Sequence, residues 1–330
     1  LSGQMMIEVA YAGNKGTRNE IVQGDQGQLH PDLLRPENRL LDLVPNPFRG
    51  LIDASSVLGQ ANVQRGRLLR GPYAHFTSVG PGAAAWGNTN YHALQTRFER
   101  RFGGGTSLMV SYTWSKTIAD SSDGLWADSL GTLRNWYCRD CERSLSTYDL
   151  PHRAVFNFNY ELPFGRGKRY GAGMHWLANA LAGGWQTNGI FTINSGQPLI
   201  FSQTANNSFS FGGYQRPDST GVNAKISDRS ISRWYDTSQF RVGRDYTFGT
   251  MSRTHSTLRN DFTRNFDFSI FKNLRFNERF NLQLRGEAFN LTNTPIFSAP
   301  NNNVESGAFG TVTAQSNPPR SVQIGLKLLF

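Results

Sequence analysis

The sequence predicts an all-β fold, an antiparallel transmembrane β-barrel, and three observations predict it. Apolar and polar residues alternate with period two over segments longer than the usual globular strand of about 5–6 residues. Short turns alternate along the chain with long loops rich in Gly, Ser, Asn, Asp and Pro. No run approaches the ~18 consecutive apolar residues of a membrane helix.

The alternation is clearest at the C-terminus. Val322, Ile324, Leu326, Leu328 and Phe330 fall on one face and Ser321, Gln323, Gly325 and Lys327 on the other; only Leu329 breaks the polar side. A strand sends successive side chains to opposite faces, so this pattern describes a sheet with two different environments. Upstream, Asn281, Gln283, Arg285 and Glu287 alternate with Leu282, Leu284 and Ala288. Asn157, Asn159 and Glu161 alternate with Phe156, Phe158, Tyr160 and Leu162, and Ser111, Thr113 and Ser115 with Val110, Tyr112 and Trp114. Eight segments follow the rule, near 5–11, 90–102, 106–118, 152–163, 185–201, 259–273, 278–292 and 319–330. Most match the ~9–11 residues that a tilted strand needs to cross a bilayer.

The connections sort by side. Gly103-Gly104-Gly105 and Asn277-Glu278 are read as tight turns, and 164–184 as a medium link with a short helix at 174–182. The long links are 12–89, 119–151, 202–258 and 293–318. Short turns on one side and long loops on the other describe an outer-membrane barrel with long extracellular loops. If the last strand ends in the periplasm, every short link falls there too. The chain begins at Leu1 without a signal-peptide pattern, so we expect a mature segment or a piece of a longer protein.

Composition agrees. Mean hydropathy is negative, as expected when half of each strand faces a polar lumen. Aromatics make up 12% of the 330 residues, with 23 Phe, enough for interfacial girdles, and 34 glycines suit many turns. The net charge of +10 is spread singly, without a dense basic block or nucleic-acid motif. We therefore expect no nucleic-acid partner, but a charged lumen and attraction to outer-membrane lipid and lipopolysaccharide.

In order and spacing, a series of short strings resembles the C-terminal barrel of Oar-like TonB-dependent receptors. They are Ser111-Tyr112-Thr113-Trp114-Ser115-Lys116, Tyr148-Asp149-Leu150-Pro151-His152-Arg153, Glu161-Leu162-Pro163-Phe164-Gly165, Gly184-Trp185-Gln186 running to Ser195-Gly196-Gln197-Pro198, Arg285 to Asn293, and Phe309-Gly310-Thr311 leading to Pro319-Arg320 and Phe330. The resemblance covers roughly residues 85–330. It implies a larger barrel of about 22 strands, of which this chain supplies the C-terminal eight or so. Its plug and N-terminal module would lie outside the chain, with TonB reached through that plug. It further implies that Phe330 and its alternating apolar partners are read by the barrel-assembly machinery.

Cys138 and Cys141 lie in the 119–151 loop, with neither the βαβ setting of a redox C-x-x-C nor a second ligand pair for zinc. A local loop disulfide is the expected state, with free thiols as the alternative. The histidines, His30, His75, His92, His152, His175 and His255, form no H-E-x-x-H pair, and no nucleophile elbow or phosphate loop is present. We expect no catalysis and no cofactor. Trp126, Trp136, Tyr137, Tyr214, Trp234 and Tyr235 are candidate ligand-contacting aromatics in the long loops, weighed against simple packing of loop on loop. The expected function is an outer-membrane receptor for nutrient uptake. The alternatives are a non-transporting adhesin or surface anchor, and a secreted carbohydrate-binding β-sandwich.

Overall fold

The computed structural model describes residues 5–21, 24–80, 82, 84–102, 105–121, 133–275 and 280–330. Among them are eight long strands: β1 (Met5–Ile21), β2 (Ala84–Phe102), β3 (Thr106–Ala119), β4 (His152–Glu161), β5 (Trp185–Asn194), β6 (Thr263–Arg275), β7 (Asn281–Phe289) and β8 (Ser321–Leu329). Each pairs antiparallel with the next, an up-and-down meander. The sheet is open: among the described residues β1 and β8 do not pair with each other. Phe102 faces Thr106 and Arg275 faces Asn281 across the two tightest connections. Gly103-Gly104 and Asn277-Glu278 themselves lie outside the described residues.

Register turns the sequence pattern into two surfaces. Ile7, Phe98, Val110, Phe156, Phe191 and Phe266 stand side by side, each the direct partner of the next across six strands. Their rings touch, Phe156 with Phe191 at 6.2 Å and Phe191 with Phe266 edge-on at 6.1 Å. On the other face, Ser107, Asn159, Asn188, Ser269, Glu287 and Gln323 form an equally continuous polar row. Hydrogen bonds bind that face, from Gln186 to Asn159 at 2.7 Å, Gln283 to Asn273 at 2.9 Å and Gln323 to Glu287 at 2.6 Å. Among the described residues no second sheet covers the apolar face; Ile324 is 87% exposed and Leu326 67%. A soluble sandwich buries this face, and leaving a side chain such as Ile324 in water forgoes roughly 1.5–3 kcal/mol. The arrangement suits lipid outside and water inside.

Several strand ends differ from the sequence expectation, each for a local reason. β1 runs to Ile21 and β2 begins at Ala84, so the first loop is shorter than 12–89; the pairing continues through Lys15–Asn90 and Thr17–Asn88 after the face has turned polar. β5 stops at Asn194 instead of residue 201, because Leu199 and Phe201 leave the sheet to enter a core among the loops. β6 begins at Thr263 instead of 259, since the Asp261 carboxylate accepts the Phe297 N–H. β7 spans Asn281–Phe289 and stops short of 292, while residues 278–279 of the expected strand lie outside the described residues. Asn290 ends it in the left-handed region (φ 50°), its side chain accepting from the Thr294 N–H at 3.0 Å. β8 starts at Ser321 instead of 319, after two prolines with no N–H to offer.

The predicted helix spans Trp176–Ala182, at the short-turn end. It accommodates a charge in the apolar face: Lys272 is in register with Trp185 and Leu284. Its ammonium donates to the Leu181 and Gly183 carbonyls at the helix C-terminus, where a cation satisfies groups the helix leaves unpaired. No helix among the described residues is long and apolar enough to cross a membrane; the crossing elements are the strands.

Candidate functional site

The four long connections fold together over one end of the sheet. Leu199, Phe201, Trp234, Tyr235, Phe240 and Met251, from the β5–β6 connection, are buried against Phe297, Val304 and Phe309 of the β7–β8 connection. Phe201 stacks on Phe240 at 4.3 Å. A second core joins Leu29, Leu34 and Leu40 of the first loop to Phe209, Phe211 and Tyr246. Loops of this length are unusual unless functional, and these carry their own packing.

Buried charges cross-link them. Arg216 and Glu142, both fully buried, form an ion pair between the β5–β6 and β3–β4 connections. Glu142 also accepts the Arg134 N–H at 3.1 Å. Arg253 donates to the carbonyl of Ala119 at 2.9 Å, at the tip of β3. Arg259 pairs with Asp149, which also accepts the Thr117 N–H at 2.7 Å. Arg70 and Asp25 pair within the first loop at 3.3 Å. Burial and the Arg216 charge lower the proton affinity of Arg134, against the Glu142 carboxylate, which raises it. Removing one member of a buried pair leaves an uncompensated charge, so these links hold the layer in one arrangement.

The aromatics named from the sequence separate into two groups. Trp234 and Tyr235 are buried. The Trp234 indole donates to the Arg259 carbonyl at 3.1 Å, and the Tyr235 hydroxyl to Asn302 at 2.8 Å. Burial raises the Tyr235 pKa, keeping the phenol neutral. Both pack loop against loop, Tyr235 within the core and Trp234 also along the wall of a cleft. Tyr137 is exposed, edge-on to His30 at 4.6 Å, with its hydroxyl donating to the Gln28 carbonyl at 3.0 Å. Trp136 is half-buried, edge-on to Trp86 at 5.0 Å, and Tyr214 is half-buried beside Leu133. Trp126 lies outside the described residues. Cys138 and Cys141 are bonded to each other. Their bridge closes the turn Asp140–Glu142, which presents Glu142 to Arg216, while Arg139 stacks on Trp86 at 3.7 Å. Phe330 ends the chain just beyond the last strand pair and is 90% exposed.

A cleft of about 430 Å³ opens among Gly196, Lys225, Arg229, Trp234, Asn260 and Phe262. Arg229 caps it, 4.0 Å above the Trp234 ring and 3.2 Å from Asp261. The described residues contain no His/Cys/Asp/Glu cluster able to hold a metal ion.

Sequence reasoning missed His255. It is buried against Phe201 and Phe240, and its Nδ1 accepts the Leu258 and Thr257 N–H groups at 3.0 and 3.1 Å. Burial and the Lys225 charge depress its pKa to about 4. Because the unfolded imidazole takes up a proton first, the layer keeps full stability above about pH 6.5 and loses it as pH falls towards 4. The total loss is on the order of 3 kcal/mol. Amide exchange over 195–262 should quicken between pH 6.5 and 4, and His255→Gln should flatten that dependence; an unchanged pH profile in the variant would contradict the assignment.

A sheet with an uncovered apolar face, a polar opposite face and a packed layer of long loops at one end defines a membrane β-barrel wall. The chain belongs to the outer membrane beta barrel domain family, whose model matches residues 1–323, and its place is the outer membrane. No curated protein and no solved structure matches it. The four long connections share one end of this wall and the short ones the other.

Proposed function

We propose that this chain forms the C-terminal wall and the ligand-capturing outer loops of a TonB-dependent, Oar-like receptor for nutrient uptake. The observation that carries the reading is the polar row Ser107–Asn159–Asn188–Ser269–Glu287–Gln323, which continues beneath a fixed loop layer. A wall that only anchors a surface structure has no need of a hydrated inner face. Among the described residues the outer edges of β1 and β8 are unpaired, which supports a larger barrel, of about 22 strands, because an open edge in lipid leaves backbone groups unsatisfied. Further strands and a plug belong to the same protein, TonB acts through the plug, and Phe330 serves the barrel-assembly machinery. Tyr137, Trp136, Tyr214 and Trp126 are the loop rings a nutrient would meet. The chain binds and conducts; it catalyses nothing.

The test is uptake by cells that carry or lack the full-length protein, using labelled ferric siderophore, oligosaccharide and peptide. Uptake of one class that requires the protein, and stops when the proton-motive force is collapsed, is expected. Unchanged uptake of all three, together with lost attachment to surfaces, would favour the adhesin instead.

A further inference from the structure

At the loop end of β3 the lipid-facing side chains change character in sequence. Val110 and Tyr112 are followed by Trp114, then Lys116, then Ile118, all on one face; Trp114 and Lys116 are exposed. An aromatic followed outward by a cation is the order expected where hydrocarbon gives way to headgroups. β4 begins only at His152, opposite Trp114. Beyond that point the Ser144–Leu145 segment pairs with Ile118 and Ala119 alone. The wall therefore carries a notch of about 530 Å³, floored by Trp114, Ile118 and Leu145 and flanked by Lys116 and Arg143. Arg259, at the back, is neutralised by Asp149. Lys116 and Arg143 have no ion-pair partner among the described residues. With its amide turned to satisfy both groups, Asn90, also on this face, accepts from Arg143 at 3.2 Å and orients it.

We propose that this notch binds the phosphorylated headgroup of an outer-leaflet glycolipid. The phosphate lies between Lys116 and Arg143, and the acyl chains run down over Trp114 and Phe156. Two uncompensated cations call for an anion. The apolar floor is continuous with the lipid-facing row, so the anion must carry hydrocarbon: a soluble phosphate would leave the Trp114 and Ile118 surface unused. The inference rests on the outer-membrane placement and on the loop end facing outward, and it is independent of whether the protein transports a nutrient.

The full-length protein, purified in a nonionic detergent, is titrated with diphosphoryl lipid A, with its dephosphorylated form and with inorganic pyrophosphate, and occupancy is read by native mass spectrometry. We expect one lipid A to bind at least tenfold more tightly than the dephosphorylated form, and the Lys116→Ala/Arg143→Ala double variant to lose that preference. The variant must keep its heat-dependent gel mobility, which shows a folded wall. Equal binding of both lipids, or an unaltered preference in the folded variant, would overturn the proposal. Pyrophosphate binding as tightly as lipid A would overturn the lipid as occupant. A variant that does not fold is replaced by Lys116→Gln/Arg143→Gln, read against the same criteria. Failure here leaves the uptake experiment unaffected, because that experiment reads the loops and the energy source, not the notch.

Discussion

Replacing Glu142 by alanine is expected to unfasten the outer loop layer while leaving the wall folded. Glu142 is the carboxylate on which the Arg216 guanidinium and the Arg134 N–H converge, with Glu142 and Arg216 both away from solvent. Its loss takes from the buried Arg216 guanidinium the carboxylate it is paired with, at a cost of about 3–5 kcal/mol. The cost falls on contacts between the β3–β4 and β5–β6 connections, not on the strand ladders, which pair through backbone groups. Limited proteolysis of the full-length protein in detergent should open cleavage within 133–149 and 202–258, with heat-dependent gel mobility retained. Replacing Arg216 by methionine in the same protein should recover part of the loss, because a pair removed together leaves no orphan charge. Protease resistance equal to wild type in Glu142→Ala would show that the pair does not hold the layer.

A charge placed in the apolar row should have an effect that depends on which of two adjacent residues carries it. Phe156 lies in the middle of the six-strand apolar row, and Asn157, the next residue, points to the polar side. Phe156→Arg puts a guanidinium near the middle of the hydrocarbon, where it costs about 2–4 kcal/mol. Asn157→Arg places it in water, where the cost is close to zero. Urea unfolding of the full-length protein in lipid vesicles should show the first variant destabilised by that amount and the second near wild type. Equal effects at the two positions would mean that the two faces are not lipid and lumen.

Much of the wall could be read from sequence, because a strand's two faces are recorded in alternate residues. Phe156 against Asn157 and Ile324 against Gln323 needed no tertiary information. Extents were harder to read. The pairing of β1 with β2 goes on past Gly13 after the lipid-facing side has become polar, and nothing local marks that continuation. At the end of β5 the alternation persisted while the structure changed, because Leu199 and Phe201 bury themselves among loops instead of in lipid. A hydrophobic side chain records that it avoids water, not which apolar medium receives it.

The loop layer was the least legible part. Glu142 and Arg216 are 74 residues apart, and single charges in polar loops follow no period. For Trp234 and Tyr235 the sequence offered ligand contact and loop packing alike; their burial arises from segments as distant as Phe309. His255 gave no signal, since its burial depends on Phe201 and Phe240 from elsewhere in the connection. The C-x-x-C pair was visible because the two cysteines are three residues apart, but its link to Glu142 was not.

The most direct test of the wall is a nitroxide scan of β4. Single spin labels are placed at each of residues 153–160 of the full-length protein in vesicles, and their collision rates with oxygen and with a water-soluble nickel chelate are measured. We predict opposite alternation with period two, oxygen accessibility peaking at 154, 156, 158 and 160 and nickel accessibility at 153, 155, 157 and 159. Labels at 156 and 158 that are shielded from oxygen and from nickel alike would place that face in a closed protein core and contradict a lipid-facing wall.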